Sequence, residues 1–309
     1  MFWVNLCPFL KGEYIEVARK VVAYSLLTRP DKGELLNILL VGDSSCGKSE
    51  LLRSVSNLFE FCQFVSTNTS SAGLGYDARW GGKEGLAIKA SGGFLLVDEF
   101  DKLDKEIYKT MLEVMDKQTV TVTKGGHRKI FEAKVNVIGA CNQKNFRWDD
   151  ITLDQIPLPY VLLTRFHLII PLGSLDQKYY PDVAENYSDD AKPDFKIAHE
   201  RFKMYVESSR NINVTISKEM SKYVGIFFQH MKRFGLDEYF PITPRQIEGF
   251  VSLAKAVARS RQKSIVDKEC LMETAGIFLD VLKNYITIGK KIGVVTSKII
   301  RFLEKKATI

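Results

Sequence analysis

Asn37 to Ser49 reads N-I-L-L-V-G-D-S-S-C-G-K-S, a short apolar run followed by a loop that ends in glycine, lysine and serine. Ile38 to Val41 is too short for a helix and stops at Gly42, which predicts a buried strand. After Ser49 the apolar residues recur at helical spacing. The stretch therefore predicts a strand, a phosphate-binding loop of the G-x-x-x-x-G-K-[ST] type and a helix, in that order.

This loop has the residue types that phosphate binding requires. Its glycines let successive backbone N–H groups point into one concavity, and the following helix adds its positive N-terminal end. Lys48 is expected to reach the terminal phosphates, and the Ser49 hydroxyl to ligate Mg²⁺. A chance match inside a Gly/Ser turn is the alternative, and the flanking strand and helix argue against it. The predicted nucleotide-binding residues are Gly42, Asp43, Ser44, Ser45, Cys46, Gly47, Lys48 and Ser49.

A second apolar run, Phe94 to Val97, ends in two acidic residues. Asp98 follows the predicted strand and is expected to hold Mg²⁺ through water. Glu99 comes next and is suited to orient or deprotonate the water that attacks the γ-phosphate. Two carboxylates at a strand end could instead form a solvated cap, and the phosphate loop nearby makes that alternative weak.

The composition bounds the class of protein. The chain has 309 residues, of which 45% are hydrophobic and 26% are charged, so a core with a satellite domain is expected. It has no run of about 18 apolar residues and no basic signal segment at its N-terminus. These features predict a soluble intracellular protein with no membrane partner. The expected location is cytoplasmic and nucleoid-associated, or nuclear if the source is eukaryotic. The five cysteines form no C-x-x-C pair, which argues for free thiols and against a zinc site.

The formal charge of +7 is concentrated towards the C-terminus. Positions 283 to 306 contain seven basic residues and one acid, Glu304, a net charge of +6. Such a tail could contact nucleic acid or form a solvated helix face, and the sequence favours neither.

A β-hairpin is predicted from the alternating run Thr119 to Thr123 and the return arm that ends at Ala133. A rigid finger with a basic tip is suited to gripping a phosphate backbone. Simple solvation of the tip is an equally good interpretation. The basic residues at the tip are Lys124, His127, Arg128 and Lys129.

Three further polar residues are candidates for the site. Asn142 follows a third buried strand, where its amide could contact the γ-phosphate or the attacking water; an ordinary turn asparagine is the commoner case. Arg165 lies next to another strand, at the edge of the core. Beyond residue 190 the pattern is helical, and Arg245 follows a Thr-Pro helix start. Alternating strands and helices followed by helices alone predict a three-layer α/β nucleotide-binding core with a helical lid.

These residues together resemble the AAA+ ATPase module of the minichromosome maintenance (MCM) replicative helicases over about residues 5–284. The motifs that carry the resemblance are Gly42-Asp43 with Lys48-Ser49, Ser71-Ala72-Gly73-Leu74, Asp98-Glu99-Phe100-Asp101-Lys102, Met115 to Lys124 (M-D-K-Q-T-V-T-V-T-K), Thr164-Arg165-Phe166 and Thr243-Pro244-Arg245-Gln246. The resemblance implies a P-loop AAA+ core with a parallel sheet and inserted β-hairpins, followed by an all-helical lid.

The resemblance and the change to a helical pattern after residue 190 set the expected domain bounds. The core is expected at 1–185, with an N-terminal helix within 1–30 and the hairpin at about 118–135. The lid is expected at 190–284 and a basic tail at 285–309.

The resemblance also implies roles for the nucleotide-site residues. Lys48 and Ser49 would bind ATP and Mg²⁺, Asp98 and Glu99 would form the acidic motif, and Asn142 would sense the γ-phosphate.

The resemblance implies roles for three more residues. Arg165 resembles the arginine finger that reaches into a neighbouring subunit's site, and Arg245 the second sensor arginine of the lid. Lys124 falls on the family's DNA-gripping hairpin. The implied partners are single-stranded or forked DNA and further copies of the chain in a homo-oligomeric ring of six.

The chain departs from the family pattern at several positions. The phosphate loop has Ser-Ser-Cys-Gly where the family has Pro-Gly-x-Ala, which leaves ATP binding intact. His167 replaces the acid of the usual S-R-F-D and removes a local support of Arg165, and Gln143 replaces a proline. Nothing matches the family's N-terminal DNA-binding collar, which suggests a bare motor domain, a divergent stand-alone relative or a piece of something longer.

The sequence favours an ATP-hydrolysing DNA helicase or translocase motor domain of the MCM type that acts in DNA replication. A non-unwinding, ATP-gated DNA-binding or assembly factor is the alternative. Another AAA+ remodeller that acts on protein is a third possibility, against which the M-D-K-Q-T-V-T-V-T-K match argues.

Overall fold

Five strands form a parallel sheet at the centre of the molecule. The computed structural model describes residues 2–77, 82–124, 127–144, 153–185, 195–233 and 242–289. Within them the sheet has the strand order β2–β5–β8–β1–β9, where the strands are β1 (Ile38–Gly42), β2 (Cys62–Val65), β5 (Phe94–Val97), β8 (Asn136–Cys141) and β9 (Leu168–Leu172). Every residue of β1, β5, β8 and β9 is buried, as expected for a parallel sheet covered on both faces.

The register of the strands brings their carboxyl ends together. Val41 of β1 pairs with Cys141 of β8 and with Pro171 of β9. On the other side of β8, Val97 of β5 pairs with Gly139. Because all five strands run in the same direction, the loops that follow β1, β5, β8 and β9 meet at one edge of the sheet, the usual position of a ligand site in such folds.

The helices of the core carry apolar faces at helical spacing. In α5, for example, the buried residues recur at positions 107, 111, 114 and 115. The apolar spacing predicts a helix from Lys105 to Met115, and the structure confirms it and extends it to Lys117. The core helices are α1 (Glu13–Ser25), α2 (Lys48–Leu58), α3 (Ser71–Leu74), α4 (Leu86–Lys89), α5 (Lys105–Lys117), α6 (Tyr160–Leu163) and α7 (Tyr180–Glu185).

Two antiparallel hairpins extend from the core. The larger one pairs β6 (Thr119–Lys124) with β7 (His127–Glu132), in register from Thr119 opposite Glu132 to Lys124 opposite His127. This confirms the predicted hairpin, and its turn lies outside the described residues. The smaller one pairs β3 (Tyr76–Asp77) with β4 (Lys83–Glu84).

The lid consists of helices α8 (Phe195–Arg210), α9 (Lys218–Arg233), α10 (Pro244–Ser260) and α11 (Lys268–Gly289). Helix α10 starts with a capping box, in which Thr243 and Gln246 bond each other's backbone N–H groups, and with proline in its first turn. The observed architecture confirms the predicted fold class. Residues 290–309, which contain most of the basic tail, lie outside the described residues.

The lid is joined to the core by buried polar contacts as well as apolar packing. The Tyr285 hydroxyl donates to the carbonyl of Ile169 at 2.7 Å, which attaches α11 to the edge strand β9. Arg259 of α10 forms a bidentate ion pair with Glu34, just before β1. In the described part of the chain, no helix combines the length and the apolar character needed to cross a membrane.

Candidate nucleotide-binding site

The loop between β1 and α2 has the backbone geometry of a phosphate cradle. Gly42 lies so close to β9 that a Cβ atom would be 2.3 Å from the carbonyl oxygen of Leu172, so a larger residue would displace the strand. Ser45 (φ 68°) and Gly47 (φ 89°) adopt left-handed conformations. Such turns direct successive N–H groups into one concavity at the start of a helix, which suits a phosphate group.

Lys48 is folded into this concavity. Its side chain is buried, and its Nζ donates to the carbonyl oxygens of Gly42 at 2.8 Å and Asp43 at 2.7 Å. The Sγ atom of Cys46 is 3.4 Å from the same ammonium group. Burial raises the pKa of the Cys46 thiol although Lys48 opposes the shift, so this thiol stays protonated at neutral pH.

Ser49 and Asp98 bring together two oxygen atoms of the kind that bind Mg²⁺. The Ser49 Oγ donates to Asp98 Oδ1 at 3.0 Å, and this carboxylate oxygen also accepts the backbone N–H of Glu99 at 3.0 Å. Hydroxyl and carboxylate oxygens are hard ligands, and they converge here beside the phosphate cradle. The residues present therefore fit a magnesium ion.

Glu99 follows in a left-handed conformation (φ 48°), which is strained for a non-glycine residue. Its side chain is 45% exposed and forms an ion pair with Lys102. Strain of this kind is concentrated at functional sites because the surrounding fold must enforce it. The half-exposed carboxylate is accessible to a water molecule in the cavity.

The loop after β8 supplies two further polar side chains. Asn142 lines the cavity, close to Asp101, whose carboxyl pKa is raised by burial although the backbone of Asn142 opposes the shift. Gln143 is buried and donates from Nε2 to the Asp43 carboxylate, which also accepts a hydrogen bond from Ser174. The phosphate loop is thus tied to the ends of two neighbouring strands.

Most of these residues line one cavity of about 830 Å³, but Gly42, Asp43 and Gln143 lie outside its lining. One side is polar, with residues 44–49 and the side chains of Asp98, Glu99 and Asn142. Another part of the lining, its apolar side, consists of hydrophobic side chains that suit a nucleotide base. These side chains belong to Phe9, Leu10, Tyr14, Ile15, Leu175 and Val183. Sequence reasoning missed this apolar side because residues 9–15 carry no motif and reach the cavity only through the fold.

Arg165 and Arg245 are brought together, but not at this cavity. Neither arginine is among the residues that line it. Instead, Arg165 Nε lies 3.1 Å and Arg245 Nη2 lies 3.2 Å from the same oxygen, Oδ1 of Asp116. The predicted nucleotide-site residues and the predicted arginines therefore form two separate groups on one chain.

Two family models match the chain, an MCM P-loop domain over residues 28–186 and an MCM AAA-lid domain over residues 200–282. The chain belongs to the MCM family. It contains an MCM-type AAA+ ATPase domain, with the P-loop core and the lid in the expected order.

Named MCM relatives are similar over most of this chain. An uncharacterised MCM-type protein of Methanocaldococcus jannaschii is 29% identical over 90% of the chain and 45% of its own length. The DNA replication licensing factor mcm4 of Schizosaccharomyces pombe is 29% identical over 82% of the chain and 30% of its own length. The chain thus spans less than half the length of these curated relatives.

The hairpin of this MCM domain presents three basic residues to solvent. His127, Arg128 and Lys129 are exposed, and the side chain of Lys124, at the end of β6, lies outside the described part of the structure. The Lys129 ammonium is 4.5 Å from the ring centroid of Phe131. That ring stacks on Tyr76 of the smaller hairpin with centroids 4.5 Å apart, so the two hairpins are in contact.

Proposed function

We propose that this MCM domain hydrolyses ATP with Mg²⁺ and uses the cycle to move along or unwind DNA during replication. One observation carries the proposal. Most of the residues predicted to bind nucleotide line one cavity, and two arginines share a carboxylate elsewhere. This is the arrangement expected of a subunit that uses both its own site and that of a neighbour.

The roles of the cavity residues follow from their positions. Lys48 is expected to leave the carbonyls of Gly42 and Asp43 and bind the terminal phosphates of ATP. Mg²⁺ held by Ser49, with Asp98 behind it, would supply positive charge to the β- and γ-phosphate oxygens. Glu99 is positioned to accept a proton from the attacking water, and Asn142 to bond that water or the γ-phosphate.

Arg165 and Arg245 complete the site only when a second copy is present. An arginine finger contributes about 10³- to 10⁵-fold to turnover in comparable NTPases. An isolated subunit should therefore be a poor ATPase. A closed ring of copies, of six subunits by the family resemblance, would place each arginine pair at a neighbour's cavity.

The hairpin is the element that supports a role on DNA. Three exposed basic residues, together with Lys124, occupy the end of a two-stranded finger. Cationic side chains on such a finger bind phosphates without regard to sequence, which suits movement along a strand. Relatives that carry the name DNA replication licensing factor make replication the expected setting.

The test is steady-state ATP hydrolysis against protein concentration, with and without single-stranded DNA. Turnover is expected to rise steeply with concentration, to increase with DNA and to fall at least about 100-fold in Glu99→Gln and Arg165→Ala. Arg201→Ala, an exposed arginine on α8, is the matched control. Turnover that stays flat or absent, while ATP still binds through Lys48, would contradict the motor and favour an ATP-gated switch.

A further inference from the structure

One carboxylate oxygen contacts both Arg165 and Arg245. Asp116 lies in the last turn of α5, Arg165 in the loop after α6, and Arg245 in the first turn of lid helix α10. The Oδ1 atom of Asp116 is 3.1 Å from Arg165 Nε and 3.2 Å from Arg245 Nη2. Three elements that are distant in sequence therefore meet at a single atom.

The position of this acid is unfavourable for its own helix. The carboxyl end of a helix carries partial negative charge, so a carboxylate in the last turn destabilises it. Asp116 is also 40% exposed and does not fill the core. Helix stability and packing thus give no reason for an acid here, whereas the two arginines do.

The contact with Asp116 orients both arginines without occupying all of their hydrogen-bond donors. Each guanidinium has five N–H donors, and each uses one nitrogen to approach Asp116. Arg165 is further fixed because its Nη1 donates to Thr164 Oγ1 at 3.2 Å. Two guanidinium groups would otherwise repel each other, and a shared carboxylate allows them to lie side by side.

Residue 167 does not provide this support. His167 is fully buried, and its Nδ1 accepts the backbone N–H of Asn37 at 2.8 Å. Its Nε2 lies 3.5 Å from Glu248 of α10. The acid that contacts Arg165 comes instead from α5.

We propose that Asp116 is a positioning residue, which holds Arg165 and Arg245 together so that both can reach ATP bound by a neighbouring copy of this chain. The inference rests on the proposed function. It assigns a task to an acid that touches neither the cavity of its own chain nor the nucleotide.

The first experiment compares Asp116→Ala and Asp116→Glu in ATP hydrolysis. Alanine is the best helix former, so Asp116→Ala should fold, which thermal unfolding checks. Its kcat is expected to fall about 10- to 100-fold, while its KM for ATP stays within about threefold, because the phosphate loop is untouched. Asp116→Glu should recover most of the turnover. Glu106→Ala, an exposed acid in the first turn of α5, is the matched control.

The second experiment mixes two kinds of impaired subunit. Lys48→Ala subunits keep their arginines and lose their own site, whereas Asp116→Ala subunits keep their phosphate loop. A mixture should hydrolyse ATP faster than the sum of the two alone, because a complete site forms where the two kinds of subunit meet. Arg165→Ala mixed with Lys48→Ala is the positive control.

The outcomes separate the two proposals. If mixing with Lys48→Ala restores ATP hydrolysis to Arg165→Ala but not to Asp116→Ala, the inference alone is overturned. An unchanged kcat in Asp116→Ala would also overturn it. A wild-type chain without turnover at any concentration, with or without DNA, would overturn the proposed function and this inference with it.

Discussion

Gln143 and Asp43 connect the phosphate loop to the end of strand β8 through one hydrogen bond. The sequence marks Gln143 only as a departure from the family pattern, and the pairing becomes visible once β8 lies beside β1. A hydrogen bond to a charged acceptor contributes about 1.5–3 kcal/mol to stability. Without Gln143, Asp43 would still be restrained by its hydrogen bond from Ser174.

We therefore expect Gln143→Ala to weaken ATP binding by about 1 kcal/mol, roughly a fivefold rise in Kd. Calorimetric titration with ATP measures this without any need for turnover. Gln63→Ala is the matched control, since Gln63 lies on edge strand β2 and donates only to the nearby carbonyl of Glu60. An unchanged Kd would show that Gln143 does not hold the loop.

The fold opposes protonation of His167. Burial lowers the pKa of His167 below its ordinary 6.5, and the hydrogen bond from His167 lowers that of Glu248. Both groups bind protons less readily in the folded chain than in the unfolded chain. The free energy of unfolding should therefore decrease as the pH falls below about 6.5, and again below the ordinary pKa of glutamate.

His167→Asn tests this directly. Asparagine keeps an acceptor near the position of Nδ1 but cannot titrate, so the free energy of unfolding should depend less steeply on pH between about 7 and 5. Urea unfolding at a series of pH values measures the slope. His127→Asn, exposed on the hairpin, is the control, and an equally steep slope in His167→Asn would contradict the assignment.

At the scale of elements, local pattern predicts most of the fold. The β-branched alternation over 119–123 predicts β6 because the side-chain period of a strand is two, and the helices of the lid follow from a period of 3.6. The ends of the elements depend on packing. The pattern predicts a helix over Phe195–Glu207, whereas α8 continues to Arg210. The Arg210 guanidinium donates to the carbonyls of Leu26 and Gly92.

The basic residues of the β6–β7 hairpin are expected to act in DNA binding and unwinding. Lys124→Ala should abolish unwinding and leave basal ATP hydrolysis unchanged, because no described residue of the hairpin lines the nucleotide cavity. Arg128→Ala should reduce the slope of log affinity against log salt by about 0.7 for single-stranded DNA, the value for one phosphate contact. Lys109→Ala, an exposed lysine on α5, is the control. Intact unwinding in Lys124→Ala would contradict the role of the hairpin.

At the scale of the whole molecule, the sequence cannot reveal pairs that only the fold creates. Motifs locate Lys48, Asp98 and Asn142 because local chemistry distinguishes them. Asp116 and Arg245 are 129 positions apart, and no local pattern links them. The apolar side of the cavity is hidden for the same reason. Long-range contacts of this kind follow from topology, which single-sequence periodicity does not specify.

The Glu34–Arg259 pair is the whole-molecule contact with the largest expected effect on stability. Both side chains are buried, Arg259 bonds both Glu34 oxygens at 2.6 and 2.7 Å, and the pair joins lid helix α10 to the segment before β1. Removing one member leaves a buried charge without its partner. Glu34→Gln should therefore lower the free energy of unfolding by about 3–5 kcal/mol in urea at pH 7.

Asp31→Asn is the matched comparison, because it breaks the exposed pair with Arg29 and should cost less than about 1 kcal/mol. Arg245 lies on the same helix as Arg259, so loosening α10 should also separate Arg245 from Arg165. Glu34→Gln is then expected to lose ATP hydrolysis at urea concentrations below its global unfolding transition. Asp31→Asn should lose ATP hydrolysis and its folded structure at the same urea concentration. Equal, small losses of stability in the two variants would mean that apolar packing alone holds the lid on the core.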